Sequence, residues 1–362
     1  MNRTSRAHLN VEAHTHAGLS GKNNEDRFSV ASFTLDAQQT TPVLFAVLAD
    51  GIGGHKGGEV AAELAVNHIM ETIVNSDGRH PQRIMQEAVT LASDAIAARA
   101  DDDENLKGMG STCAAAWVIG DKLYIASVGD SRIYLIRGGR IQQLTVDHTW
   151  VQEAIEKNIL TPEEAREHPN VHVIRRYLGS PMPPQADFRM KLFDDENDER
   201  AENNQGARLQ PHDVILLCSD GLTDLVWNDE ILEIIRARNN LKDAASALIE
   251  LANSRGGHDN ITVILLAVPA QFKLNKDQRT NWMTWAIVAA LSFLCLVAVV
   301  SLLTFGWLRR PVTLTATPTV PPPTLTSPPP TLTPLPATLT PTLIVPSPTL
   351  TPWPTNALEA TP

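Results

Sequence analysis

Four aspartates in this chain stand where apolar sequence gives way to a turn. Asp50 ends the run Leu44-Phe-Ala-Val-Leu-Ala-Asp-Gly-Ile-Gly-Gly-His55-Lys-Gly-Gly-Glu59, Asp130 lies in Val128-Gly-Asp-Ser-Arg132, Asp220 in Ser219-Asp-Gly221, and Asp259 in Gly257-His-Asp-Asn260. All but the last directly follow an apolar run, and such a run bounded by Asp-Gly reads as a buried strand ending in a turn. A carboxylate there is carried by a rigid element at the mouth of a sheet, where a metal ligand or a catalytic acid belongs. A single Asp-Gly is an ordinary turn, but four such positions, with Glu25-Asp26 as a fifth, point to a shared site. Clustered carboxylates repel and raise one another's pKa, and divalent cations remove that cost. An all-oxygen ligand set selects Mg²⁺ or Mn²⁺ over zinc. Two such ions about 3.5–4 Å apart clamp a phosphate and acidify a bridging water to hydroxide near neutrality. His55, on the glycine-rich loop past Asp50, is placed to protonate a leaving alkoxide.

The elements that must position these residues follow from periodicity. Residues 28–33 and 42–49 read as strands and residues 11–27 as a polar, turn-rich segment. Residues 57–74 read as a helix with Val60, Leu64, Ile69 and Ile73 as its apolar stripe. Pro81 opens a second helix to about residue 100, with Ile84, Ala88, Leu91, Ala95 and Ile96 inward. Four short strands follow at 111–119, 122–128, 131–137 and 140–144, with a tight hairpin at Gly138-Gly139. Their spacing predicts an antiparallel meander rather than βαβ units. A helix is expected from 147 or 148 to 158, and Thr161-Pro-Glu-Glu164 is a capping box opening another. Residues 194–208 read as an acidic surface loop or insertion with local disorder. The strand 214–218 delivers Asp220, helices span 228–238 and 242–254, and a last strand runs over 261–268.

Composition divides the 362 residues into parts. Residues 1–272 have globular composition. The net charge of −11 falls on the first part, because residues 281–362 contain only Arg309, Arg310 and Glu359. So acidic a surface excludes a nucleic-acid partner, which needs clustered Lys and Arg. Cys113, Cys218 and Cys295 lie in separate apolar stretches without metal-type spacing. No cleavable signal peptide is evident at residues 1–16. After a juxtamembrane linker at 273–281, Trp282 to Trp307 is 26 residues without a charge, longer than the roughly 20 needed to cross a bilayer. Trp282, Trp285 and Trp307 mark its edges and Arg309-Arg310 flank it, so a single transmembrane helix over 282–307 is expected. The tail, 308–362, is rich in Pro and Thr and reads as extended, polyproline-like chain, an unmodified spacer or a glycosylated stalk. The missing signal peptide and a tail free of further basic residues favour the globular part in the cytoplasm and the tail outside.

With its motifs side by side, the sequence resembles the PP2C-type (PPM) metal-dependent protein serine/threonine phosphatases of the bacterial, membrane-anchored kind. The matching stretches are Asn24-Glu-Asp26, Ala49 to Glu59, Gly110-Ser-Thr112, Val128 to Arg132, Asp147-His-Thr149, His168-Pro-Asn170, Ser219-Asp-Gly221 and Gly257 to Ile261. The resemblance implies an α+β fold, a four-layer αββα sandwich with two antiparallel sheets and the metals between them at one edge. It implies Mn²⁺ or Mg²⁺, two per site with a weaker third. Asp50 would bridge the two ions with the Gly51 carbonyl on one of them, and Asp220 and Asp259 would hold the other. Glu25 or Asp26 would act directly or through water, and Asp130 with Asp220 would supply the third position. His55 would be the general acid, and residues 147–180 a flap beside the site. Where the family usually carries a phosphate-binding arginine, this chain has Gly21, and Lys22 beside it is the candidate substitute, a point charge without arginine's fork. The implied activity is hydrolysis of phosphoserine and phosphothreonine in proteins by a water or hydroxide bridging the metals, opposing a Ser/Thr kinase. Two alternatives are a phosphatase-fold membrane sensor acting mainly by binding a partner, and a tethered surface protein whose working part is the tail.

Overall fold

A computed structural model of the chain describes residues 1–35, 41–53, 57–272, 290–294, 296 and 297. The chain divides into two compact units, residues 1–280 and 281–362.

The first unit is built on two antiparallel sheets. Strands β1 (Asn2–Arg3), β2 (Asn10–His16), β3 (Arg27–Thr34), β4 (Pro42–Ala49) and β5 (Gly51–Ile52) precede helices α1 (Gly57–Asn75) and α2 (Pro81–Asp102). Then come β6 (Gly110–Ser111), β7 (Cys113–Ile119), β8 (Lys122–Val128), β9 (Arg132–Arg137) and β10 (Arg140–Gln143), followed by α3 (Trp150–Glu156), α4 (Pro162–Arg166) and α5 (Asp198–Asn203). The unit closes with β11 (Ala207–Arg208), β12 (Val214–Cys218), α6 (Asp220–Thr223), α7 (Asn228–Ala237), α8 (Leu241–Ser254) and β13 (Ile261–Ala267). One sheet has the order β1-β3-β4-β7-β8-β11, the other β10-β9-β12-β13-β2, and β5 pairs with β6 in a small ribbon.

Both faces of the central strands are buried, which is why they read as unbroken apolar runs rather than alternating ones. Along β4, Leu44, Ala46 and Leu48 pack into a core shared with Ile215, Leu217, Ile264 and Leu266 of the other sheet. Val43, Phe45, Val47 and Ala49 pack instead with Ala61, Ala65, Ile69 and Ile73 of α1 and with Ile84, Ala88 and Ile96 of α2. On the far side, Leu216, Cys218, Val263 and Leu265 pack with Ile231 of α7 and Leu248 of α8. Three apolar layers therefore separate helices, sheet, sheet and helices.

The structure corrects several sequence expectations. The four strands from 111 to 144 are not one meander: β7 and β8 belong to the first sheet and β9 and β10 to the second. The Gly129-Asp130 turn carries the chain across the inter-sheet core. The Gly138-Gly139 hairpin is local, pairing Arg137 with Arg140 through two positive-φ glycines, as is the Gly120-Asp121 hairpin, pairing Ile119 with Lys122. Strand β2 arises within the segment read as turns, paired along its length with β13. Leu91 is exposed, and Met85, Val89 and Ala92 take up the inward face of α2. Residues 194–208 are ordered: Asn197 caps α5, and buried Glu196 accepts from the Leu192 N–H and from Asn204 Nδ2 (both 2.8 Å). The Thr161 capping box forms as expected.

Among the described residues no helix is long and apolar enough to cross a membrane. Most of the expected span at 282–307 and all of 308–362 lie outside the described residues, as does Cys295; residues 290–294, 296 and 297 are helical.

Leu44 is fully buried between the sheets at the end of β4 remote from Asp50. Leu44→Ala is expected to lower stability by about 2–5 kcal/mol, measured as a shift in the denaturant midpoint of the full chain.

Candidate active site

The carboxylates converge at one edge of the two sheets, delivered from both. Glu25 and Asp26 precede β3 and Asp50 follows β4 on the first sheet; Asp220 follows β12 and Asp259 precedes β13 on the second; Asp130 sits on the crossover from β8 to β9.

Asp50 is anchored through its backbone. Its N–H donates to Thr112 Oγ1 (2.9 Å), and its carbonyl accepts from the Thr112 N–H (2.8 Å) and from Ser111 Oγ (3.0 Å). The side chain is left to face the other carboxylates. Burial first, then Asp26, Asp220, Asp130 and Asp259, push its pKa well above the usual carboxylate range. Asp220 is raised in the same way, by burial and then by Asp130, Asp224, Asp259 and Asp26.

Asp26 ties the two sheets together. Its Oδ2 accepts from Ser219 Oγ (2.8 Å) and Thr262 Oγ1 (2.6 Å), both on the opposite sheet. Burial outweighs these bonds and lifts its pKa to about 6. Asp130 rises to about 7 through burial and the Asp147 charge, against the pull of Arg132. Asn260 holds the entry loop: its Oδ1 accepts from the Glu25 N–H (2.7 Å), and its Nδ2 donates to the carbonyls of Ala17 and Asn23 (3.1 Å each). Asp259 accepts from the Asn260 N–H (2.8 Å).

Gly58, at the start of α1, lets two donor groups approach. A Cβ there would overlap the Glu25 carboxylate and lie 2.8 Å from the Gly51 carbonyl oxygen. Both oxygen groups therefore border space that only glycine leaves open.

Asp26 Oδ1, Asp130 Oδ1 and Asp220 Oδ1 are buried with no hydrogen-bond partner among the described residues. Three bare carboxylate oxygens among mutually repelling neighbours are costly and fit a set of hard divalent cations, whose ligands are oxygens of this kind. Asp50, Asp220, Asp259, Asp130, Glu25, Asp26 and the Gly51 carbonyl are the residues available to hold Mn²⁺ or Mg²⁺.

A sequence model of the family described as protein phosphatase 2C matches residues 14–253. The chain belongs to the protein phosphatase 2C family. It is 32% identical over 262 residues to the "Serine/threonine phosphatase stp" of Listeria innocua, covering 71% of this chain and 95% of that protein. The solved structure of the S. agalactiae serine/threonine phosphatase is similar with a TM-score of 0.62 and 31% identity, over 72% of this chain and 99% of that one. The catalytic domain of PstP, solved in complex with two manganese ions, is similar with a TM-score of 0.59 and 32% identity, over 72% of this chain and 97% of that one.

Two expected site residues of this phosphatase-family chain are not seen to take part. Lys22 is exposed, and among the described residues no hydrogen bond or ion pair engages it. His55 lies outside the described residues, between β5 and α1. Gly21, where the resemblance would place an arginine, has φ +77° and, among the described residues, nothing within 4 Å of an added Cβ, so backbone strain rather than space disfavours a side chain there. Sequence reasoning missed the neutral groups that position the acids, namely Thr112, Ser219, Asn260 and Thr262. It also missed Asp224 and His172, whose ligand-type atoms lie with that of Asp220 within 4.8 Å of one another. The motif glycines and hydroxyls at 110–112 and 219–221 were the available signal.

The raised carboxylates make a pH test. Their folded pKa values exceed the unfolded value of 3.8, so the fold favours the protonated forms. That contribution is complete below the unfolded pKa and is lost as pH rises through about 6 for Asp26 and about 7 for Asp130. The thermal midpoint of the chelator-treated chain is expected to fall from about pH 5 to pH 8. Millimolar Mn²⁺ should remove most of that fall, and scanning calorimetry with and without the metal checks it.

Proposed function

We propose that this chain is a metal-dependent protein serine/threonine phosphatase acting on phosphoserine and phosphothreonine in proteins. The observation that carries this reading is the set of three bare, buried carboxylate oxygens among acids supplied by both sheets. Family membership and the named activity of its relatives support it. The binding-only sensor alternative finds no support.

Mn²⁺ or Mg²⁺, when bound, supplies Lewis acidity toward the phosphate and an acidified water as nucleophile. The chain's own residues do the rest. Asp50, its backbone fixed by Thr112 and Ser111, would hold the cations together with the Gly51 carbonyl, Asp220 and Asp259, and Asp130 with Asp220 would hold a weaker third. Glu25 and Asp26 orient the cluster directly or through water. Lys22 is the proposed cation for the substrate phosphate, and His55 would carry the proton given to the departing serine or threonine oxygen. No acceptor nucleophile on the protein is required, so hydrolysis proceeds without a phosphoenzyme.

We also propose that the phosphatase domain, residues 1–272, is tethered through the linker 273–281 to a single membrane span at 282–307. The domain faces the cytoplasm and the Pro/Thr-rich tail 308–362 lies outside the membrane. The uncharged stretch, its flanking tryptophans and arginines, and the exposed Leu291, Phe293 and Leu294 on its helical residues support this. A Ser/Thr kinase and its phosphorylated substrates are the proposed partners.

Asp50→Ala and Asp220→Ala are each expected to abolish Mn²⁺-dependent release of phosphate from a phosphothreonine peptide; full activity in either would sink the assignment. Lys22→Ala should raise KM several-fold at nearly constant kcat, as loss of a charge-assisted phosphate contact requires. Protease treatment of intact cells should remove the tail and spare the phosphatase domain; the reverse result would invert the topology.

A further inference from the structure

The residues after Asp130's strand crossing make an arrangement that the proposed chemistry does not use. Asp130 lies between Gly129, which is held from outside, and Ser131 and Arg132, which are held from within. Arg132 donates to Asp147 through Nε (2.9 and 3.1 Å) and Nη2 (2.6 Å). Ser131 Oγ shares a hydrogen bond of 2.7 Å with Thr112 Oγ1, the group that also receives the Asp50 N–H.

On the other side, one residue takes both backbone groups of Gly129. The His148 N–H donates to the Gly129 carbonyl (2.9 Å), and the Gly129 N–H donates to His148 Nδ1 (3.0 Å). A backbone N–H can only donate, so Nδ1 is the acceptor and the ring proton is assigned to Nε2. That proton is directed at Asp187 Oδ2, 3.0 Å away. Asp187 is itself gripped by Arg189, through Nε (2.9 and 3.1 Å) and Nη2 (2.6 Å). Although burial opposes ionisation, the bonds from His148 and Arg189 hold Asp187 well below the usual carboxylate range. The imidazole is thus held in orientation, with Arg176 Nη1 also 3.2 Å from Nε2, and His148 and Asp187 are both buried.

Gly129 needs such a grip. Its φ is +100°, and a Cβ would lie 2.7 Å from the Thr112 side chain, so the crossover has no side chain of its own to wedge it in place. Asp147 and His148, adjacent in sequence, bracket the loop that presents the bare Oδ1 of Asp130. The carbonyl of His148 in turn accepts from the Arg175 N–H (2.7 Å), tying the bracket to the chain after α4.

We propose that His148 is a positioning residue for the Asp130 carboxylate, acting through the Gly129 N–H, and that it sets the affinity of the weaker cation position that Asp130 shares with Asp220. The inference rests on the reading of Asp130 as a metal ligand. Groups that orient metal ligands typically change affinity by about 10–100-fold when removed.

The test is Mn²⁺ binding to the full-length chain, counting sites by electron paramagnetic resonance of free Mn²⁺ alongside calorimetric titration. His148→Ala should weaken the loosest Mn²⁺ by about tenfold and leave the tighter ions and the KM for a phosphothreonine peptide unchanged. His148→Asn, whose Oδ1 stands near the Nδ1 position and can accept from Gly129, should restore most of that affinity. His148→Gln, which reaches toward Asp187 instead, should resemble the alanine variant. Unchanged loosest-site affinity in His148→Ala would overturn the inference. So would equal weakening of all the ions together with a lower unfolding temperature in chelator, which would mark a general folding role, or an asparagine variant no better than alanine. Asp130→Asn separates the two layers of the argument. If it keeps every Mn²⁺, the ligand reading fails and the inference with it; if it loses one while His148→Ala loses none, the inference alone fails.

Discussion

Mutual repulsion among carboxylates in a poorly hydrated seam is the constraint to which the rest of this fold answers. Asp26, Asp50, Asp130 and Asp220 are all raised above their ordinary pKa, with burial the largest cause in each. Groups in that condition either hold protons or hold cations. A protein that concentrates them this way is less stable without its ions, and binding free energy for the metal becomes folding free energy. Stability and catalysis are therefore coupled through the same oxygens.

The architecture distributes that repulsion over two sheets. Had all the acids come from one strand end, the strain would fall on one loop. Here the first sheet contributes Glu25, Asp26 and Asp50, the second Asp220 and Asp259, and Asp130 stands on the connection between them. Neutral donors bind the halves to each other: Ser219 and Thr262 reach Asp26 from the opposite sheet, and Asn260 draws in the loop bearing Glu25. These bonds hold the acids in place without neutralising them, which leaves their charge for the cations.

Much of this was legible in the sequence, for reasons that differ by element. Strand β4 and helices α1, α7 and α8 announce themselves because burial of a whole strand, or of one helical stripe, leaves a periodic record in the chain. The acids were legible because a carboxylate directly after an apolar strand is an expensive placement that chance turns rarely repeat. The crossover at Gly129-Asp130 was not legible, since the same Gly-Asp pair serves a hairpin equally well and only packing against a distant sheet decides between them. Strand β2 was hidden by its polar residues, Glu12, His14 and Thr15, which an edge strand tolerates. Thr112, Ser219, Asn260 and Thr262 were hidden because hydroxyls and amides are common everywhere and gain their roles only from partners far along the chain. Asp187 sat within an unassigned stretch, and its partner His148 within a motif whose spacing gives no hint of what the imidazole touches.

The apolar layer between the sheets acts as a caliper. Leu44, Leu48, Ile125, Leu217 and Ile264 fill it, and their bulk fixes how far apart the two sets of strand ends stand. Metal–oxygen distances differ between Mg²⁺ and Ca²⁺ by only a few tenths of an ångström, a displacement of the size that one added or removed methylene can force on a close-packed interior. Side-chain volume in a layer that never touches a phosphate thus helps to determine which ionic radius the acidic edge accepts. Drift in that hydrophobic filling and choice of metal are, for this fold, parts of one evolutionary problem.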